Sequence, residues 1–152
     1  MKPVNKNQIF ENFSVHDGNA WALAALKTVI EDKNYYNPVY IYGKEGKTHL
    51  LNATKNALQS ELKEVILLSA ENVTNNLVKN LTSSKFDYIL IDDLNLMPKD
   101  AILEEQLAML IEVNKKQLII SSTVAPKDLE VGSKLQERLQ WGLITNIMLE
   151  NH

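Results

Sequence analysis

The chain alternates helix-period segments with short apolar runs. Between Asp17 and Glu31 the residues Trp21, Leu23, Leu26, Val29 and Ile30 fall on one helical face, with Asp17 placed to cap the first turn. Pro38 to Tyr42 is a β-branched and aromatic run closed by Gly43, which predicts a strand, and Lys47 to Ser60 returns to helical period. Val65 to Leu68 predicts a second strand, and Ala70 to Leu81 a helix carrying Val73, Leu77, Val78 and Leu81 on one side. Phe86 to Ile91 predicts a third strand that ends in Asp92 and Asp93. Asp100 to Val113 follows as a helix with Leu103, Leu107, Leu110 and Ile111 inward. Gln117 to Ser122 reads as the fourth strand, Pro126 to Glu130 and Lys134 to Leu139 as short helical turns, and Leu143 to Leu149 as a last strand. Near-continuous apolar strands separated by helices require a parallel sheet covered on both faces. The expected fold is therefore α/β, a three-layer αβα sandwich.

Composition narrows this without redirecting it. A length of 152 residues suits one domain, and 45% apolar with 23% charged residues excludes a disordered or fibrous chain. A net charge of -3 gives no global attraction to nucleic acid or anionic lipid, so any DNA contact is local. With no cysteine there is no disulfide, thiolate metal site or cysteine nucleophile. The first ten residues carry Asn and Lys where a signal peptide needs an apolar run, and no stretch is apolar enough to span a bilayer. The expectation is a cytoplasmic protein without a membrane partner.

The chemistry concentrates where the first strand meets the next helix, in Gly43-Lys44-Glu45-Gly46-Lys47-Thr48. A helix start offers unpaired amides and a positive dipole end to phosphate, Lys47 can reach phosphate oxygens, and the Thr48 hydroxyl can hold Mg²⁺. A full phosphate loop has four residues between its first glycine and the Gly-Lys-Thr, but only Lys44 and Glu45 separate Gly43 from Gly46 here. The loop lacks part of the usual ring of amides, and Glu45 adds a negative charge where anions would bind. The same residues also fit a tight strand-to-helix turn. The strand ending in Asp92 and Asp93 supplies a second element: Asp92 would orient the water shell of Mg²⁺ and Asp93 would polarise an attacking water. Arg138 is the one arginine among 16 basic side chains. Its forked geometry suits bidentate contact with phosphate or carboxylate, and an ion pair with Glu137 or Glu130 explains it equally well. The histidines His16, His49 and His152 show no metal-ligand spacing, and Ser121-Ser122-Thr123 reads as a strand end.

Taken together, several segments resemble the AAA+ nucleotide-binding domain of the bacterial replication initiator DnaA and its regulatory relatives. Phe10-Glu11-Asn12-Phe13 with Asp17-Gly18-Asn19 is similar to the segment that lines that family's adenine pocket. Tyr36 to Gly43 resembles its first strand, and Gly46-Lys47-Thr48-His49-Leu50-Leu51 the end of its phosphate loop. Leu90-Ile91-Asp92-Asp93 resembles its Mg²⁺-binding strand, and Ile120-Ser121-Ser122 with Ala125 to Leu129 its sensor strand. Arg138 precedes Trp141-Gly142-Leu143-Ile144 at the distance of its arginine finger.

The resemblance implies a P-loop AAA+ core over residues 1–152, with a leading segment at 1–16 and neither a helical lid nor a helix-turn-helix domain. It implies ATP or ADP with Mg as cofactors. Gly43, Gly46, Lys47, Thr48 and His49 would hold nucleotide, Thr48 and Asp92 the metal, and Asp93 with Arg138 would act on phosphate, Arg138 in trans. Thr123 stands where an acidic sensor residue is usual, and only Thr82 to Lys85 remain of a longer basic stretch that belongs to a single-stranded DNA surface. Turnover should be weak or absent. The expected partners are a DnaA-type initiator or a helicase-loading protein, with self-association, and with DNA contact weak or indirect. Two other roles stay open: a nucleotide-independent adaptor that presents Arg138 to a partner, and a single-stranded DNA module using Lys79 and Lys85.

Overall fold

The computed structural model describes residues 8–148. Five strands form one sheet: β1 (Val39–Gly43), β2 (Val65–Ser69), β3 (Tyr88–Asp92), β4 (Gln117–Ser122) and β5 (Leu143–Ile147). They lie in the order β2-β3-β4-β1-β5, and every pairing is parallel. The helices α1 (Ala20–Glu31), α2 (Lys47–Ser60), α3 (Asn75–Leu81), α4 (Ala101–Val113) and α5 (Ser133–Arg138) connect them.

Alternation along the strands divides the core into two layers. Val39, Ile41, Leu67, Leu90 and Ile119 pack with Leu26, Val29, Leu50 and Leu51 of α1 and α2. Tyr40, Ile66, Ile89, Leu118 and Ile120 face the other way, onto Val78, Leu107, Leu110 and Leu135 of α3, α4 and α5. Both faces of the sheet are therefore covered, as an all-parallel sheet requires, and the sandwich is the expected one. No helix among the described residues is long and apolar enough to cross a membrane.

Several local expectations are corrected. Helix α1 begins at Ala20, and Asp17 lies in the turn before it, where His16 O accepts the amides of Asn19 and Ala20. Trp21 is 59% exposed, so it does not belong to the buried face. The predicted helix over 70–81 breaks into a 3-10 turn at Ala70–Asn72 and the helix α3. Val73 and Thr74 between them are extended, and the Thr74 hydroxyl caps the amide of Leu77. Strand β3 starts at Tyr88 rather than Phe86. The final strand ends at Ile147, and the predicted extension to Leu149 lies partly outside the described residues.

A parallel sheet gathers the carboxyl ends of its strands on one rim. Here that places Gly43 of β1, Asp92 of β3 and Ser121-Ser122 of β4 beside one another, where ligands bind in open α/β sheets.

Candidate nucleotide site

Two glycines shape the turn from β1 into α2. Gly43 has φ +150°, and a Cβ there would sit 2.3 Å from the Ile147 carbonyl oxygen of β5. Gly46 has φ +87°, the left-handed conformation that glycine adopts without strain, and occupies the N-cap position of α2. Its carbonyl accepts the amide of Leu50 at 3.1 Å and closes the first helical turn. The amides of Lys47, Thr48 and His49 precede any intrahelical acceptor and share the positive end of the dipole of a 14-residue helix. Lys47 is 6% exposed and has no hydrogen-bond or ion-pair partner among the described residues. Lys44 and Glu45 are exposed.

The acids meet this turn through one buried carboxylate. Asp92 is fully buried; the Thr48 hydroxyl donates to its Oδ2 at 2.9 Å, and the Ser121 hydroxyl to its Oδ1 at 2.5 Å. Ser121 Oγ in turn accepts the Asp93 amide at 2.9 Å, which fixes Asp93 in a left-handed conformation of φ 57°. Just beyond, Asn95 Oδ1 accepts the Thr123 amide at 3.0 Å. The helix after the loop, the acidic strand and the sensor strand are thus tied together at Asp92. Among the described residues no three His, Asp or Glu side chains gather as a metal cluster. The donor set of Thr48 with one carboxylate matches Mg²⁺ that arrives with phosphate oxygens and water, rather than an all-protein cage.

Beside the loop lies a cavity of about 580 Å³. Phe13, His16, Asn19, Gly46, His49 and Met148 are among the residues that line it. Phe13 and His49 meet edge to face with centroids 5.2 Å apart, and His49 Nε2 is 2.9 Å from the Ile9 carbonyl oxygen. The near wall is built by Asn19, which accepts the His16 amide and donates to Ser14 O, both at 3.0 Å. His16 Nδ1 accepts the Gly18 amide, and Gly18 O accepts the Met148 amide, joining this wall to the end of β5. An aromatic edge, two imidazoles and amide groups thus line a cavity beside a helix N-terminus.

Gly43, Gly46, Lys47, Thr48, His49, Asp92 and Asp93 are thereby gathered on one rim. Arg138 is held elsewhere. Its Nε lies 2.8 Å from Glu112 Oε1, an Nη 3.0 Å from Glu137 Oε1, and its guanidinium stacks 4.6 Å from the Trp141 ring. The expected Glu137 contact is present, whereas Glu130 pairs with Lys99. Sequence reasoning gave His16 no role, placed Ser121 in a strand end without a partner, and did not name Asn95. Only Ser121 left a signal, a hydroxyl closing an otherwise apolar strand.

The family profile described as the bacterial DnaA ATPase domain matches residues 4–146. The chromosomal replication initiator protein DnaA of Helicobacter hepaticus is 34% identical over 95% of this chain, which spans 35% of that protein's length. The crystal structure of domain III of the Thermotoga maritima replication initiation protein DnaA superposes with a TM-score of 0.84 at 31% identity, covering 97% of this chain and 69% of that one. A structure of the replication initiator DnaA bound to AMPPCP and single-stranded DNA gives a TM-score of 0.84 at 28% identity, over 97% of this chain and 51% of that one.

Proposed function

The chain belongs to the bacterial DnaA ATPase domain family, and on that premise we propose that it binds ATP or ADP with Mg and acts in the initiation or control of DNA replication through nucleotide-dependent protein assembly, with weak or no hydrolysis. One observation carries this reading: the cavity walled by Phe13 and His49 reaches Gly46, two residues before Thr48, whose hydroxyl donates to the buried Asp92 carboxylate. A base fits the cavity, and the α2 amides with Lys47 lie where its phosphates would run. That a relative has been solved with AMPPCP, an ATP analogue, supports the same ligand class.

Thr48 and Asp92 would hold Mg²⁺, which when bound would supply positive charge against the phosphates. The chain's own residues then divide the work. Ser121 fixes the orientation of the Asp92 carboxylate through its hydroxyl and of Asp93 through its amide. Asp93 is the group nearest in sequence to polarise a water. Hydrolysis needs the terminal phosphate surrounded by preorganised donors. Here the loop is two residues short of the usual motif and Thr123 stands where an acidic residue is usual.

A DnaA-type initiator or a helicase-loading protein is the proposed partner, with self-association. DNA contact is weak or indirect: Lys85, in the short segment between α3 and β3, pairs with Glu64 and lies over the Phe86 ring. Calorimetric titration of the chain with Mg-ATP and Mg-ADP tests the nucleotide reading. The expected result is micromolar or weaker binding that Lys47→Ala removes while the melting temperature of the free protein is kept. Absence of both binding heat and any nucleotide-dependent rise in melting temperature overturns it.

A further inference from the structure

The cavity and the helix start differ in charge. Glu45 stands on the cavity wall next to Gly46 and His49, and its side chain is exposed. It is the one Asp, Glu, Lys or Arg side chain in the cavity lining among the described residues. Lys47 is not on that wall and is only 6% exposed. Lys44, the other residue of the shortened loop, is exposed and does not line the cavity. A ligand lying with its base against Phe13 and its tail toward α2 therefore runs its phosphate chain past a wall whose one charged side chain is a carboxylate.

In a full-length loop, four intervening residues contribute amides that wrap the outer phosphates. With two, one of which is Glu45, the outer phosphates lose donors and gain a like charge. The first phosphate, next to the helix start, keeps the dipole and the first-turn amides. The cost therefore grows along the phosphate chain, because each added phosphate brings negative charge to Glu45 without new amides to receive it.

We propose that Glu45 determines phosphate-chain specificity at this site, so that its ligand class is a nucleoside 5′-mono- or diphosphate, bound at least as tightly as the triphosphate. This rests on the nucleotide reading above and sharpens it. The Glu45 carboxylate is a selectivity element acting against the third phosphate.

The test is calorimetry on the whole chain at fixed magnesium, with adenosine, AMP, ADP and ATP as ligands of the wild type and of Glu45→Gln. The wild type should bind ATP no more tightly than ADP. Glu45→Gln should improve binding in rank with phosphate number, smallest for AMP and about tenfold for ATP, each taken relative to adenosine. A wild type that binds ATP measurably more tightly than ADP overturns the role of Glu45 and leaves the nucleotide reading standing. A uniform shift across all four ligands in Glu45→Gln overturns it too, since a purely structural role moves every ligand together. If none of the four binds either protein, the nucleotide reading fails and takes this inference with it.

Discussion

Tyr40 shows how a single side chain couples the site's foundation to solvent conditions. It is fully buried in the centre of β1, and its hydroxyl donates to the Val124 carbonyl at 2.8 Å, just past the end of β4. Burial pushes its pKa from an ordinary value near 10 up to about 12, because the phenolate would be desolvated. Tyr88, whose hydroxyl donates to Val29 O at 2.9 Å, shifts in the same direction, again through burial first. A group whose folded pKa is raised contributes stability that is complete below its unfolded pKa and is lost as pH climbs through the folded one. The window here therefore runs from about pH 10 to about pH 12, and the loss assignable to Tyr40 is about 3 kcal/mol. Denaturant midpoints taken across that range should fall more steeply for the wild type than for Tyr40→Phe. At neutral pH the variant should be about 1 kcal/mol less stable, because the Val124 carbonyl loses its donor. Equal slopes would show that Tyr40 does not titrate within this window.

At the scale of elements, the sheet was readable from sequence wherever burial on both faces left no choice of residue. The runs Pro38 to Tyr42, Val65 to Leu68 and Gln117 to Ser122 became β1, β2 and β4 with little change, and α2 spans Lys47–Ser60 as predicted. The errors fall where a side chain satisfies the backbone in a way that periodicity does not encode. Thr74 interrupts an otherwise helical pattern by capping α3; Trp21, read as inward, is a separate case, exposed on a helix that buries Ala22, Leu23, Ala25 and Leu26. In the candidate site, the placement of Gly43, Gly46, Thr48 and Asp92 on one rim was legible because strand, turn and helix geometry brings them together. The Ser121 contact to Asp92 was not, since it depends on β4 lying between β1 and β3, a fact of strand order.

The same strand order makes Gly43 a junction between elements. Its Cα faces the Ile147 carbonyl of β5, so a methyl group at 2.3 Å from that oxygen would force the backbone of β1 or β5 to move. Gly132, by contrast, has an ordinary φ of -61°, and a Cβ there meets only the flexible Glu104 carboxylate at 3.3 Å. Gly43→Ala should cost about 3 kcal/mol in chemical denaturation, and Gly132→Ala less than about 1 kcal/mol. Comparable values for the two would show that the β1–β5 edge tolerates displacement and that the shortened loop is not anchored there.

For the molecule as a whole, the proposed assembly through Arg138 would turn on a competition within the chain. The Arg138 side chain is 19% exposed, its guanidinium shared between Glu112 and Glu137 and stacked on Trp141. To act on a partner's phosphate it must leave Glu112, which would still have Lys134 at 3.7 Å. Glu112 is thus not stranded by the exchange, and the cost of releasing Arg138 is that of a partly exposed ion pair, about 1 kcal/mol or less. A phosphate, with its higher charge and bidentate geometry, can outbid a single carboxylate oxygen. Two variants separate a finger from a clamp. Arg138→Ala should abolish association with a DnaA-type initiator in the presence of Mg-ATP. Glu112→Gln, which weakens the intramolecular hold but leaves Arg138 intact, should strengthen it. Both should lower stability by about 1 kcal/mol or less, so stability alone does not distinguish the roles. Sedimentation velocity of the mixtures does: if both variants associate as the wild type does, Arg138 serves only to fasten α5 to α4, and its action on a neighbouring subunit falls.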